Sequence, residues 1–155
     1  MAKLLSINLS DKKGVIKKPV NEAVLIEDFG IEGDAHAGKW HRQVSLLGQE
    51  SVDKMIAKGL DHLKPGDFAE NLLTEGLVLY ELPVGTILTI GETKHEVTQI
   101  GKECHTGCEI KEITGECVMP KEGIFTRVLE GGTIRIGDEI TILEYGKKDV
   151  FAVEK

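Results

Sequence analysis

The sequence lacks any apolar run approaching the ~18 residues that a membrane-spanning helix needs. Its first 18 residues show no export signal, because Ser6, Asn8, Ser10 and Asp11 interrupt the apolar stretch. Cations are outnumbered, with 19 Lys and Arg against 26 Asp and Glu and a formal charge of −7. That balance argues against broad nucleic-acid binding, which is driven by neutralising phosphates. Aromatic residues reach only 5%. There is no Gly-rich loop ending in Gly-Lys-Ser/Thr and no Gly-x-Gly-x-x-Gly, so the common nucleotide cradles are missing. No Gly-x-Ser-x-Gly elbow occurs, which disfavours a serine hydrolase. Low-complexity linkers and internal repeats are absent as well. Cysteine is sparse and oddly placed: Cys104, Cys108 and Cys117 fall within one short stretch. A secreted disulfide scaffold would spread an even number along the chain, so a reducing, cytoplasmic setting is expected.

What is present is a chain of 155 residues, 41% hydrophobic and 29% charged, the profile of one globular domain. Residues 1–155 read as a single unit, with a core from about 20 to 143 and a tail from about 145 to 155. Glycine is abundant, 18 residues, which suits tight turns between short strands. Lys3–Leu9 reads as a strand with Leu5, Ile7 and Leu9 on one side, and Val20–Ile26 as a second. Gly30–Gln43 has no clear period and is expected to be a long loop, a place where function concentrates. Gln49–Leu60 carries Val52, Met55, Ile56 and Leu60 at helical spacing. Thr86–Ile90 and His95–Ile100 flank a hairpin turn at Gly91–Lys94. Gly123–Glu130 is expected to be a short helix. Thr133–Ile136 and Glu139–Leu143 are expected to pair as a last hairpin through Gly137 and Asp138. The connections look too short for parallel crossovers. The fold class is therefore mostly β with a few helices (α+β), a mixed and largely antiparallel β-barrel.

Two segments could carry chemistry. Gly33–Gln43 gathers His36, His41, Lys39, Arg42 and the single tryptophan, Trp40, on the loop. It could present an anion or cofactor surface, or Asp34 could cap a turn while Trp40 plugs the core. Gly101–Cys108 follows a predicted strand, and there Lys102 and His105 flank Cys104. Nearby cations lower a thiol's pKa, and the thiolate is both nucleophile and metal ligand. The opposing reading is a small buried hydrophobe, which suits Cys117 better than Cys104. A zinc site from Cys104, Cys108, Cys117 and His105 has enough ligands, but adjacent Cys104 and His105 rarely share one ion. The carboxylates Asp67 and Glu70 in Pro65–Leu72 are explained as well by a solvated turn.

Four strings take the reading further: Gly30-Ile31-Glu32-Gly33-Asp34-Ala35-His36, Pro65-Gly66-Asp67-Phe68-Ala69-Glu70-Asn71-Leu72, Thr98-Gln99-Ile100-Gly101-Lys102-Glu103-Cys104-His105, and Gly123-Ile124-Phe125-Thr126-Arg127-Val128-Leu129-Glu130-Gly131-Gly132. In order and spacing they make the chain resemble the MOSC domain, named for the C-terminal part of molybdenum cofactor sulfurases, from about Gly30 to Leu143. The likeness is to the short stand-alone bacterial type, also found fused to molybdopterin-biosynthesis proteins. It implies a β-barrel-like fold and a role with sulfur and the molybdenum cofactor (molybdopterin). Cys104 occupies the place of the family's characteristic cysteine, which carries sulfur or ligates molybdenum. Asp34, His36, Asn71 and Arg127 are carried over as pocket residues.

The resemblance also implies partners: a molybdopterin-type small molecule, and a cysteine desulfurase or molybdopterin-biosynthesis protein. The pyridoxal-phosphate desulfurase domain of the sulfurases is missing, so pyridoxal phosphate is not expected in this chain. Lys102, Arg42 and Arg127 are candidates for the pterin phosphate, with Lys39 nearby, and His36 or His41 for moving a proton. The Gly33–Gln43 loop, the Cys104 loop and Arg127 are expected to face one cleft. Three other functions stay open at this point: a molybdenum-dependent reductase component, a non-catalytic cofactor chaperone, and a zinc-stabilised interaction domain.

Overall fold

Apolar strand segments and glycine turns build the chain into two sheets and one described α-helix. The computed structural model describes residues 2–11, 17–35, 37–57, 70–100 and 123–146. In chain order the elements are β1 (Lys3–Leu9), β2 (Lys18–Val20), β3 (Glu22–Ile26), β4 (Gly30–Ile31) and β5 (Val44–Gly48). Helix α1 (Gln49–Ala57) follows, then β6 (Leu72–Glu75) and a 3-10 turn at Leu79–Glu81. The chain continues with β7 (Ile87–Ile90), β8 (Thr93–Ile100), β9 (Ile124–Glu130), β10 (Gly132–Arg135) and β11 (Ile140–Glu144). The larger sheet runs β11-β7-β8-β9-β5-β6-β1-β2, and a smaller one runs β10-β3-β4. The fold is mostly β, as its sequence suggested. Among the described residues the larger sheet does not close into a barrel; a lone bridge from Lys3 to Glu139 joins β1 to the start of the β11 edge.

The core lies where the inward faces meet. Leu4, Ile7, Ile31, Leu46, Leu72 and Ile124 are all fully buried, each removing about 1.5–3 kcal/mol worth of apolar surface from water. In β1 the expected set on one side is Leu5, Ile7 and Leu9, but of its apolar residues Leu4 and Ile7 are the ones completely covered. The reason is a register irregularity between Leu4 and Ser6 against β6. An extra residue there shifts which side chains face inward, because strand alternation has a period of two.

Three other expectations change. Gly123–Glu130 is not a helix: from Ile124 it forms β9, inserted between β8 and β5. Ile124, Thr126 and Val128 are β-branched, share one face at alternate positions and are all buried, so the segment gains more from a central strand than from a turn of helix. Next, β10 and β11 do not pair with each other, since β10 binds β3 and β11 binds β7. The turn between them is captured by the start of the chain: Gly137 N–H donates to the Leu4 carbonyl at 2.7 Å, and Leu4 N–H to the Asp138 carbonyl at 2.9 Å. Finally, one connection does make a parallel crossover. β5 and β6 pair in parallel, Leu46 beside Leu72 and Leu47 beside Leu73, and the link between them includes α1.

Helix α1 occurs where its spacing predicted it, with Val52 buried and Ile56 exposed. The expected strand Val20–Ile26 is broken at Asn21 into β2 and β3, which join different sheets. Gln43, 0% exposed, ties the two sheets together: its Oε1 accepts Val128 N–H of β9 at 2.8 Å, and its Nε2 donates to Asp28 just beyond β3 at 3.1 Å.

Candidate functional site

The loop after β4 folds back on itself through glycine. Gly30 has φ +127°, and a Cβ there would stand 2.8 Å from the Gln43 carbonyl and 3.2 Å from the Ala37 Cα. Only glycine meets both demands. The Gly38 N–H then donates to the Phe29 carbonyl at 2.7 Å, closing the loop and delivering Trp40, His41 and Arg42 beside the end of β8.

There Gln99 organises two of the predicted residues. Its Oε1 accepts from Arg42 Nε at 3.0 Å and lies 2.8 Å from His41 Nε2. An acceptor shared in this way implies that His41 presents its Nε2–H. The Thr98 hydroxyl donates to the His41 carbonyl and also reaches the Phe125 carbonyl, which fastens the loop to the sheet. The Arg42 guanidinium carbon sits 5.4 Å from the Phe125 ring centre and 6.0 Å from that of Trp40. Arg42 is thus within cation–π reach of both rings. Trp40 does not plug the core: it is 36% exposed, with its ring edge against His41.

A cavity of about 430 Å³ opens in front of this loop. Its walls include Asp28, Lys39, Trp40, His41, Glu96 and Arg127, over Val84 and Val97. Its size lies in the range of small-molecule sites. Arg127 of β9 faces Glu96 of β8 in register, and its Nε donates to Glu96 Oε1 at 2.7 Å. The wall thus carries two cations, two carboxylates and one indole.

The structure brings His41 and Arg127 together at the cavity, with Arg42 behind Trp40. It places Asp34 and Asn71 elsewhere. Asp34 accepts the Lys17 ammonium at 2.8 Å, both side chains fully buried, and also the Ser10 N–H at 3.1 Å. Asn71 is buried among β1, β5 and β6. Its Oδ1 accepts Ser45 N–H at 3.0 Å, and its Nδ2 donates to the Asn8 carbonyl at 3.1 Å. His36, Lys102, Cys104, Cys108 and Cys117 lie outside the described residues, as do Met1, most of the tail and Asp67. Among the described residues no group of three His, Cys, Asp or Glu is arranged to hold a metal ion.

Sequence reasoning overlooked Asp28, Glu96 and Gln99. Glu96 alternates along β8 with buried His95 and Val97, an ordinary strand pattern that carries no functional signal, and Gln99 follows a register irregularity against β9 that spacing does not announce. His95 was overlooked too. It is fully buried between Leu88 and Val128, with Nε2 2.9 Å from Thr93 Oγ1 and Nδ1 3.2 Å from Thr126 Oγ1. Burial pulls its pKa from 6.5 down to about 4.

A mixed, mostly antiparallel sheet with a glycine-closed loop beside a mixed-charge cavity describes a β-rich domain. A family model, the MOSC domain, matches residues 33–141. The chain belongs to the MOSC domain family, whose members are associated with molybdenum cofactor sulfurase-related function. Solved structures agree on the fold. The YuaD protein of Bacillus subtilis is similar with a TM-score of 0.77 and 18% identity, over 94% of this chain and 98% of that one. YiiM of Geobacillus stearothermophilus gives a TM-score of 0.72 and 22% identity, over 93% and 76% respectively. YiiM of Escherichia coli gives 0.68 and 19%, over 99% and 77%. No curated protein matches the sequence. No described helix is long and apolar enough to cross a membrane.

Proposed function

We propose that this chain is a cytoplasmic, molybdenum-cofactor-associated protein that binds the pterin cofactor or its precursor and carries or ligates sulfur through Cys104. The reading takes residues 1–155 as one MOSC domain. The observation that carries it is the cavity, on which the loop bearing Trp40 and His41 and the β9 cation Arg127 converge within a MOSC chain. The cofactor, when bound, supplies a metal on an anionic pterin dithiolene.

The cavity residues fit such a group in size and kind. Trp40 offers an indole face for a planar ring. Lys39 and Arg127 supply local positive charge in a chain whose overall charge is −7. His41 is held by Gln99 with its Nε2–H committed, leaving Nδ1 for exchange with a ligand or water. Arg42 lies within cation–π reach of Trp40, and Lys102 adds a further cation close in sequence to Cys104. Cys104 follows Ile100, the last residue of β8, by four positions, and β8 also contributes Glu96, Val97 and Thr98 to the cavity wall.

As a sulfur carrier, the Cys104 thiolate takes the outer sulfur of a desulfurase persulfide. A new S–S bond forms, and the desulfurase cysteine leaves as its thiolate. The test is intact-mass spectrometry after incubation with a cysteine desulfurase and cysteine. The parent should gain one sulfur, removable by reductant, and Cys104→Ser should not. Equal gain by both proteins, or none by the parent, refutes the carrier role. Competitive alkylation across pH supplies the companion measurement, with Cys104 expected to label faster than Cys108 or Cys117 near neutral pH.

A further inference from the structure

We infer that Asp28 reads the hydrogen-bond donor edge of the ligand, so that the cavity selects a planar ring bearing a 2-amino-4-oxo-pyrimidine edge, the edge shared by pterins and guanines. This rests on the cavity being the pterin site proposed above. Asp28 stands in the turn between β3 and β4 with φ +53°, the one non-glycine residue in the left-handed region among those described. Asp tolerates that region better than most residues, yet it is an unusual conformation and one that clusters at ligand sites.

Its neighbours hold it in place. The Asp28 N–H donates to the Val128 carbonyl at 2.8 Å. The Val128 N–H donates in turn to Gln43 Oε1 at 2.8 Å. That bond fixes the Gln43 amide, since a backbone N–H can only meet the oxygen end. Gln43 Nε2 must then donate to Asp28 Oδ1, as it does at 3.1 Å. A fully buried amide thus clamps one carboxylate oxygen from behind.

The two carboxylates of the cavity differ in what they are given. Glu96 is matched by the Arg127 guanidinium at 2.7 Å. The bond to the Asp28 side chain comes from a neutral amide, and among the described residues no cation pairs with it. A carboxylate in that state repels a purely anionic ligand and favours one with two adjacent N–H donors. The ring N–H and exocyclic amine of a 2-amino-4-oxo-pyrimidine form such a fork, equivalent to one side of a guanidinium. Trp40 supplies a stacking face, and Lys39 and Arg127 serve an anionic substituent on the same ring.

Trp40 is the chain's single tryptophan, so its fluorescence reports occupancy of the cavity directly. The parent and Asp28→Asn proteins are titrated with pterin-6-carboxylate, with lumazine-6-carboxylate, which carries oxygen in place of the 2-amino group, and with GMP. Asn also tolerates the left-handed backbone and can still accept from Gln43, so the variant keeps the fold. The parent should bind pterin-6-carboxylate about tenfold or more tightly than the lumazine, and Asp28→Asn should erase most of that ratio by weakening pterin alone. Equal binding of the two by the parent, or a ratio unchanged in Asp28→Asn, overturns the role of Asp28 and leaves the pterin site standing. GMP binding more tightly than the pterin, and sensitive to Asp28→Asn, upholds the edge recognition and overturns the pterin reading. No quenching by any of the three overturns both.

Discussion

Acid should destabilise this protein through His95 before most surface groups matter. Thr93 Oγ1 donates to the Ile90 carbonyl at 2.8 Å, so its hydroxyl proton is committed. His95 Nε2, 2.9 Å from that oxygen, must therefore carry the proton, and Nδ1 accepts from the Thr126 hydroxyl at 3.2 Å. The neutral ring is satisfied at both nitrogens. A second proton would face Thr126 donor to donor, inside a core with Leu88 and Val128 on either side. The pKa of about 4 in the fold compares with 6.5 for a free imidazole.

Because the folded value is the lower one, the unfolded chain binds more protons between the two values, and stability falls as pH falls through that window. The contribution lost is about 1.2 kcal/mol near pH 5.5 and about 2.4 kcal/mol near pH 4.5, relative to neutral pH. Urea unfolding of the parent and of His95→Gln across this range is the assay. Carboxylates titrate in both proteins, so the difference between the two curves isolates His95. The parent should lose more stability on acidification, by about 2 kcal/mol or more at the lowest pH. Parallel curves would refute the reasoning, and so would an NMR titration of the parent in which the His95 ring charges near 6.5.

Breaking the buried Lys17–Asp34 pair from one side, by Lys17→Met, should cost about 3–5 kcal/mol in chemical denaturation, whereas Lys17→Met with Asp34→Leu should recover most of it. A double variant no better than the single would show that the pair does not act as a unit. Asn71→Ala removes partners from Ser45 N–H and the Asn8 carbonyl, both in the interior, and should cost roughly 2–3 kcal/mol by the same measurement. Gly30→Ala forces a Cβ against the Gln43 carbonyl at a positive φ, so it should lower stability by about 1–3 kcal/mol and shift the Trp40 emission. An unshifted spectrum would separate Trp40 from the loop fold.

Local pattern was readable wherever local pattern decided the outcome. The β7–β8 hairpin alternates over Gly91 and Glu92, and its strands occur within a residue or two of their expected ends. Helix α1 is set by spacing. Where tertiary pairing decided, the pattern misled. Ile124–Glu130 mixes four apolar residues with Thr126, Arg127 and Glu130 in so short a run that period alone does not distinguish strand from helix. Gly137 and Asp138 look like a hairpin turn, yet both bond the backbone of Leu4, more than 130 residues earlier by number. Nothing near either end of the chain announces that contact.

The site divides along the same line. Trp40, His41 and Arg42 were visible because residues of unusual type crowd one glycine-bounded loop. Asp28 and Glu96 were not, because each is an ordinary carboxylate whose meaning comes from what it meets. Glu96 acquires a guanidinium through the β8–β9 register, and Asp28 a buried amide through Gln43. Asp34 shows the converse. It stands in the string Gly33-Asp34-Ala35-His36 that suggested a pocket residue, and its carboxylate meets the Lys17 ammonium in the interior, a partner that no spacing rule connects to it. Charge in this chain follows pairing more than composition. A net charge of −7 does not make the cavity acidic, because the sheet register and the loop bring Arg127 and Lys39 to the same wall as Glu96 and Asp28. What such a wall accepts depends on which carboxylate is already matched by a cation, and that is set by strand pairing across the sheet.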